Sequence, residues 1–200
     1  GRYAGFSTND LRSEPLSNFL QQAVRMTRLL EPDPHRTLPC PPSKQTKLPL
    51  DLYDSSIANR NAADRRGDMQ TLNQAVESTL GDMDLVSYTT SVSDGWGRYI
   101  RLFSTGFSEE AQTSSFSKSA TLSLKDSDGK LPMGWDGTYA RHREDLLKDE
   151  GLARTMLQRA QNQLKATPIT TDRYDIVVPN RSMGKLLGPV LSPLGGSSIQ

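Results

Sequence analysis

A single cysteine, Cys40, and two histidines, His35 and His142, are spread over 200 residues. One cysteine excludes an intrachain disulfide and any multi-cysteine zinc knuckle. Cys40 lies in the run Pro39-Cys40-Pro41-Pro42, which reads as an exposed loop carrying an ordinary thiol. Neither histidine has a second histidine or a same-face carboxylate at ligand spacing. A hydrolytic zinc needs about three protein ligands and an open position, so no local zinc site is written into the chain. Apolar residues make up 34% and aromatics 6%. Both values are low for a compact single-core protein and imply much surface that is exposed or covered by a partner. An excess of one charge is also missing. With 24 basic and 23 acidic residues the net charge is +1, which leaves no basic stripe to neutralise phosphates and argues against nucleic acid as a partner. No apolar run approaches the ~20 residues of a membrane span. The start has neither a basic n-region nor an apolar h-region, so it is no signal peptide, and the expected location is cytoplasmic. The chain opens without Met and stops on Gly195-Gly196-Ser197-Ser198-Ile199-Gln200. It reads as a piece cut at both ends.

What is present is periodicity. Arg2 to Ser7 forms a short β-like run. Leu16, Phe19, Leu20, Ala23, Val24, Thr27 and Leu30 then recur at helical spacing, with Ser13 as the expected N-cap and Pro15 in the first turn. Glu31-Pro32-Asp33-Pro34 stops that helix, because proline can neither donate nor continue it. Residues 32–50 hold six prolines and read as a linker. A second helix is expected over 64–80 on the stripe Met69, Leu72, Ala75, Val76 and Leu80, with Gly81 at C′. From Asp84 to Lys125 the chain turns to Ser, Thr, Val, Tyr and Phe in rough alternation. Asp94-Gly95 and Thr105-Gly106 read as turns, giving antiparallel strands over 85–93, 97–105, 109–117 and 118–125. Asp126-Ser127-Asp128-Gly129 makes the next turn. It begins like a calcium loop but lacks the third oxygen ligand and the terminal Glu. Met133 to Arg141 is a further strand, Leu152 to Leu164 a third helix, and Tyr174 to Val178 a short buried strand. Asn180 caps a last helix through Leu187, ended or kinked by Gly188 and Pro189. The pattern is α+β, dividing near residue 83.

Catalytic signatures are scarce. No serine sits in a Gly-x-Ser-x-Gly elbow. Gly195-Gly196-Ser197-Ser198 lacks the Gly-Lys-Ser/Thr that would set a lysine against phosphates.

Three stretches together resemble the TldD/PmbA family. The first is Gly1-Arg2-Tyr3 through Ser7-Thr8-Asn9-Asp10-Leu11-Arg12, followed by the amphipathic helix and Leu30-Glu31-Pro32-Asp33-Pro34. The second is Val92-Ser93-Asp94-Gly95 with Ser104-Thr105-Gly106-Phe107-Ser108. The third is Asp175-Ile176-Val177-Val178 with Asn180-Arg181-Ser182-Met183-Gly184-Lys185-Leu186-Leu187-Gly188, leading to Gly195-Gly196-Ser197. The resemblance implies residues 1–50 as the C-terminal part of the family's N-terminal α/β domain with its Pro-rich exit. It implies 51–83 as a helical connecting region, and 84–200 as the start of an antiparallel β-rich C-terminal domain, truncated here. Such a truncation leaves strand edges unpaired, so the piece alone is expected to associate or aggregate.

Catalytic members of this family carry His-Glu-x-x-x-His on the matching strand–helix. In this sequence its histidine positions fall on Gly188 and Pro193 and its glutamate position on Pro189. None of these side chains can ligate a metal or take a proton. The resemblance therefore implies a PmbA/TldE-like, non-catalytic subunit with no cofactor of its own. The zinc is then expected in a TldD-like partner, with which the chain forms a heterodimer unless it pairs with itself. The implied activity of the assembly is proteolysis of unfolded peptides and peptide maturation. An older association of the family is with modulation of DNA gyrase. Two alternatives stay open: a self-sufficient metallopeptidase with ligands beyond residue 200, and a stand-alone binding or regulatory protein.

Overall fold

The computed structural model describes residues 1–38 and 49–195; Cys40, Gly196 and Ser197 lie outside them. Backbone contacts divide the chain into two units, Gly1–Leu164 and Lys165–Gln200.

Helix α1 spans Ser13–Leu29. Its apolar stripe and Pro15 match the sequence pattern, and Glu14 and Arg28 suit the two ends of the helix dipole. The start differs: Arg12 occupies the N-cap position, no side chain caps it, and Ser13 is already helical. Arg2 to Ser7 is no strand. Arg2 Nε donates to Leu30 O (2.7 Å) and the Asp33 amide to Gly1 O (2.7 Å), so this run pairs with the return after the helix rather than with a sheet. The Arg36 guanidinium lies 4.5 Å over the Tyr3 ring.

Helix α2, Ala62–Leu80, begins earlier than its apolar stripe. A reciprocal capping box, Asn61 with Asp64, satisfies its first amides. Gly81, at φ +55, ends it. Three strands follow in an antiparallel meander of order β1-β2-β3: β1 Leu85–Leu102, β2 Ser108–Leu124 and β3 Met133–Ala140. Two expected breaks are absent. Asp94-Gly95 lies mid-strand, opposite Phe116 and Ser115, and Ser117-Lys118 is uninterrupted. The Thr105-Gly106 turn is present: Phe103 and Phe107 close it, and Gly106 sits at φ +89, where a Cβ would strain. The Asp126–Gly129 turn is present too, with the Gly129 amide bonded to Asp126 O at 3.0 Å.

Helix α3 spans Asp149–Gln161 and lies with α2 on one face of the sheet. Leu72, Val76 and Leu80 of α2 and Leu152, Met156 and Ala160 of α3 pack on Ala120, Leu122 and Leu124 of β2. All of these core positions on β2 are even-numbered, as the two-residue period of a strand requires. Each fully buried leucine contributes about 1.5–3 kcal/mol. Gly134 of β3 admits the α3 backbone: a Cβ built there would stand 2.0 Å from Met156 O.

In the second unit, helix α4 runs Asn180–Leu191 with Pro189 inside it and no buried residue. A 3-10 turn, Ser192–Leu194, follows. Tyr174 to Val178 is not a strand; Ile176 and Val177 are 80% and 93% exposed and no ladder partner is offered. No helix among the described residues is long and apolar enough to cross a membrane.

Candidate functional site: the open face and free edge of the sheet

The two helices cover the even-numbered face of the meander. Among the described residues no helix covers the odd-numbered face, whose residues on β1 and β2 are mostly small and hydroxylated. In register, Ser87, Thr89, Ser91 and Ser93 of β1 stand opposite Ser123, Thr121, Ser119 and Ser117 of β2, and Gly95 and Gly97 opposite Ser115 and Thr113. The β3 end of the same rows carries Met133, Trp135, Gly137 and Tyr139. Trp135 is 56% and Tyr139 61% exposed. Two aromatic rings lean over glycines of this face. A Cβ on Gly137 would meet the Trp135 ring at 2.9 Å, and one on Gly97 the Tyr99 hydroxyl at 3.2 Å. The result is a shallow, uncharged floor of serine, threonine and glycine with aromatic side chains at its rim.

Within this sheet β1 and β3 are the outer strands. β1 is 18 residues long. Beyond Trp96 it leaves the helices behind, and β1 with the start of β2 becomes a two-stranded arm. Tyr99, Ile100 and Leu102 are 58–71% exposed there. Arg98 pairs with Glu110 across the arm at 2.7 Å with both side chains about half exposed, so water screens the pair and it adds little to stability.

The root of the arm is held by ions. The Asp94 carboxylate, 1% exposed, accepts from Arg60 (2.8 Å) and Arg65 (2.7 Å). Asp68 accepts from Arg60 (2.6 Å) and from Arg143. Burial works against ionisation of both carboxyls. The guanidinium hydrogen bonds and charges outweigh it, holding Asp94 and Asp68 below the usual carboxylate range. The same groups keep Arg60 charged despite its own burial. Ser114, fully buried, ties the neighbouring connection to the sheet. Its Oγ accepts from the Asp54 amide (2.8 Å) and donates to Arg141 O (2.8 Å). His142 Nε2 contacts Asp51 O at 3.1 Å; that hydrogen bond, opposed by burial and helped by Asp51, Asp54 and Asp145, raises its pKa.

The positions matched to the family's metal motif belong to the second unit. Gly188 and Pro189 are in α4 and Pro193 in the following 3-10 turn; a side chain at 188 would meet open space. Glycine and proline side chains offer no metal donor. His35 makes a backbone bond to Asp33 Oδ1 in a turn. Among the described residues no group of three or more His, Cys, Asp or Glu could hold a metal ion, so the donor set does not fit a zinc site there. Trp135, Tyr139 and Tyr99 escaped the sequence reading. The available signal was an aromatic two residues from a glycine, which puts both on one strand face.

A three-strand meander covered on one side by a helix pair defines an α+β protein. The sequence matches no family model and no curated protein. Solved structures do resemble it. A candidate modulator of DNA gyrase from Bacteroides thetaiotaomicron shares 29% identity over 99% of this chain, with a TM-score of 0.86. A second such protein, from Thermotoga maritima, superposes over 82% of the chain at 16% identity and TM-score 0.63. TldE from Thermococcus kodakarensis does so over 74% at 18% identity and TM-score 0.54. The latter two show the fold alone. The fold of this chain is TldD/PmbA-like. The chain spans 45%, 35% and 32% of the lengths of these three neighbours.

Proposed function

We propose that the chain serves as a PmbA/TldE-like, non-catalytic subunit of a TldD/PmbA-type zinc metalloprotease that acts on unfolded peptides, and that it holds peptide on the free edge of β1. The observation that carries this reading is the edge itself. It is long, lies beside an uncharged hydroxyl floor, and among the described residues has no strand beyond it. An extended peptide adds to such an edge through main-chain hydrogen bonds, which give affinity with little sequence selectivity. Small side chains on β1 leave room for large ones on the guest. Glycine and proline at 188, 189 and 193 support a division of labour in which a TldD-like partner carries the zinc, polarises the scissile carbonyl and activates water. This chain's part is to bind and align. The resemblance to TldE supports the subunit type, and the resemblance to two candidate gyrase modulators supports a regulatory role as the second reading.

The test is hydrolysis of an unfolded peptide by the full-length protein alone and mixed with a TldD-like partner. Activity only in the mixture is expected. Activity in the isolated protein would overturn the non-catalytic reading. Amide exchange over residues 85–93 is expected to slow under saturating peptide; unchanged exchange would remove the edge from the mechanism.

A further inference from the structure

The β2–β3 ladder ends where Phe116 meets Ala140, whereas β2 continues to Ser108 in register with β1. The connection ahead of α2 takes up the side of β2 that β3 has left. The Ser114 amide donates to Leu52 O (2.9 Å), and the Asp54 amide donates to Ser114 Oγ (2.8 Å). The Tyr53 ring meets Trp96 edge-on, with centroids 6.3 Å apart. Residues 51–54 thus form a strap over the edge of β2 at the root of the arm. The upstream end of the strap is bent. Asp51 lies at φ +46, in the left-handed region. Aspartate tolerates that region better than most residues, but the bend lasts only where its surroundings hold it. The holding side chain is His142, just past the end of β3. Its Nε2 stands 3.1 Å from Asp51 O and 3.2 Å from the Asp51 carboxylate.

Histidine is the side chain whose ordinary pKa lies between pH 5 and 8, so His142 is the contact of this strap that pH can reach. Asp51 and Asp54 of the strap and Asp145 of the turn after it favour the cation. Asp54 itself, bonded by Ser56 and by the Arg143 amide (3.1 Å), is held below the usual carboxylate range. The neighbouring guanidiniums are committed to other partners. Arg141 donates to Ser114 O (3.0 Å), and Arg143 pairs with Asp68 of α2, which also holds Arg60. An imidazolium gives Asp51 a charge-assisted bond. A neutral ring either donates a weaker one from Nε2 or, with its proton on Nδ1, turns a lone pair toward two oxygens. We propose that His142 is a proton-operated clasp: as imidazolium it pins Asp51 and keeps the strap over β2, and as neutral imidazole it lets residues 51–54 lift and bares the Ser114 amide. The grip is complete at low pH and fades as pH rises through the pKa of the folded histidine. The clasp lies on the β2 side of the sheet and is independent of what the edge of β1 binds.

Amide hydrogen exchange of the full chain, followed residue by residue by NMR from pH 5 to pH 8 and corrected for the intrinsic rate at each pH, tests the clasp. Protection of the Ser114 and Asp54 amides is expected to fall severalfold as pH rises across that range. The amides of Ala120 and Leu122, in the helix-covered part of β2, are expected to keep theirs. The midpoint of the fall should coincide with the titration of the His142 ring, whose signals are assigned by their loss in His142→Gln. That variant can keep a neutral bond to Asp51 O but not the charge, and its Ser114 protection is expected not to vary with pH. Asp51→Asn keeps the bend and the main-chain oxygen while removing the carboxylate, and is expected to move the midpoint to lower pH. Four results would each overturn the proposal. These are equal protection across the range, a pH dependence that survives in His142→Gln, a midpoint indifferent to Asp51→Asn, and a loss spread evenly along β2.

Discussion

Gly134→Ala tests the packing that places the aromatic rim. The added methyl would stand 2.0 Å from Met156 O, 2.9 Å from the Ala160 amide nitrogen and 3.1 Å from its Cβ. A carbon and a carbonyl oxygen settle at about 3.3–3.6 Å, so β3 and α3 must part by more than an ångström. The obstructing atoms are helix backbone, which cannot rotate away. Met156 and Ala160 are fully buried in the same interface, and lifting the helix opens gaps around both. Overpacking costs about 1–3 kcal/mol where side chains can adapt. With backbone on both sides, about 3 kcal/mol or more is expected. Small proteins lose about 1–3 kcal/mol per molar urea, so the unfolding midpoint should fall by roughly 1–3 M. The assay is urea unfolding followed by circular dichroism. Gly67→Ala is the control: it lies inside α2 with open space at its Cβ and is expected to stabilise by about 0.5–1 kcal/mol. A Gly134→Ala midpoint within experimental error of the parent would refute the reasoning, since it would mean that α3 does not press on β3.

Asp94→Asn leaves Arg65 without its carboxylate and Arg60 with Asp68 alone, and should cost about 3 kcal/mol in thermal or urea unfolding. Because Asp94 and Asp68 are held below their unfolded values, their contribution is complete above the usual carboxylate pKa and fades as pH falls through the folded one. Acid unfolding should accordingly come later in the parent than in Asp94→Asn, and coincident acid curves would contradict the network. His142 has the opposite sign. Its raised pKa stabilises fully below the unfolded histidine value and is lost as pH rises through the folded one, so His142→Gln should narrow the gap between stability at pH 5 and pH 8. Limited trypsin digestion should cut readily in the exposed stretch 165–179, after Lys165 or Arg173, leaving the helix-covered sheet of residues 62–161 resistant. Earlier cleavage inside β2 would count against the division.

Helices α1, α2 and α3 were legible because each carries an apolar stripe at the period of the helix. Glycine marked the turns at Gly106 and Gly129 for the same local reason. Asp94-Gly95 misled because turn chemistry and strand chemistry are both local, whereas what holds Asp94 in a strand is distant in sequence: Arg60 and Arg65, which flank the start of α2. Tyr174 to Val178 misled in the other direction. Its β-branched residues favour a strand, but a strand exists only where a neighbour supplies hydrogen bonds. The hydroxyl alternation of β1 and β2 announced a sheet with one bare face. It could not announce the register, and the register is what brings Trp135 level with Thr89 and Tyr139 with Ser93.

The meander also dictates an order of events. β1, β2 and β3 are consecutive in the chain, so the long hairpin can zip inward from Gly106 at small entropic cost, adding one rung at a time. The helices that cover it come from opposite ends of that stretch, and Leu72 must find Met156 across the whole sheet. Closing so large a loop is the slow step of a fold of this kind. Until it happens the hairpin is a twisted ribbon with both faces wet. Chains that meet during this interval would meet through the surface that stays bare afterwards, so assembly and folding compete for the same strands.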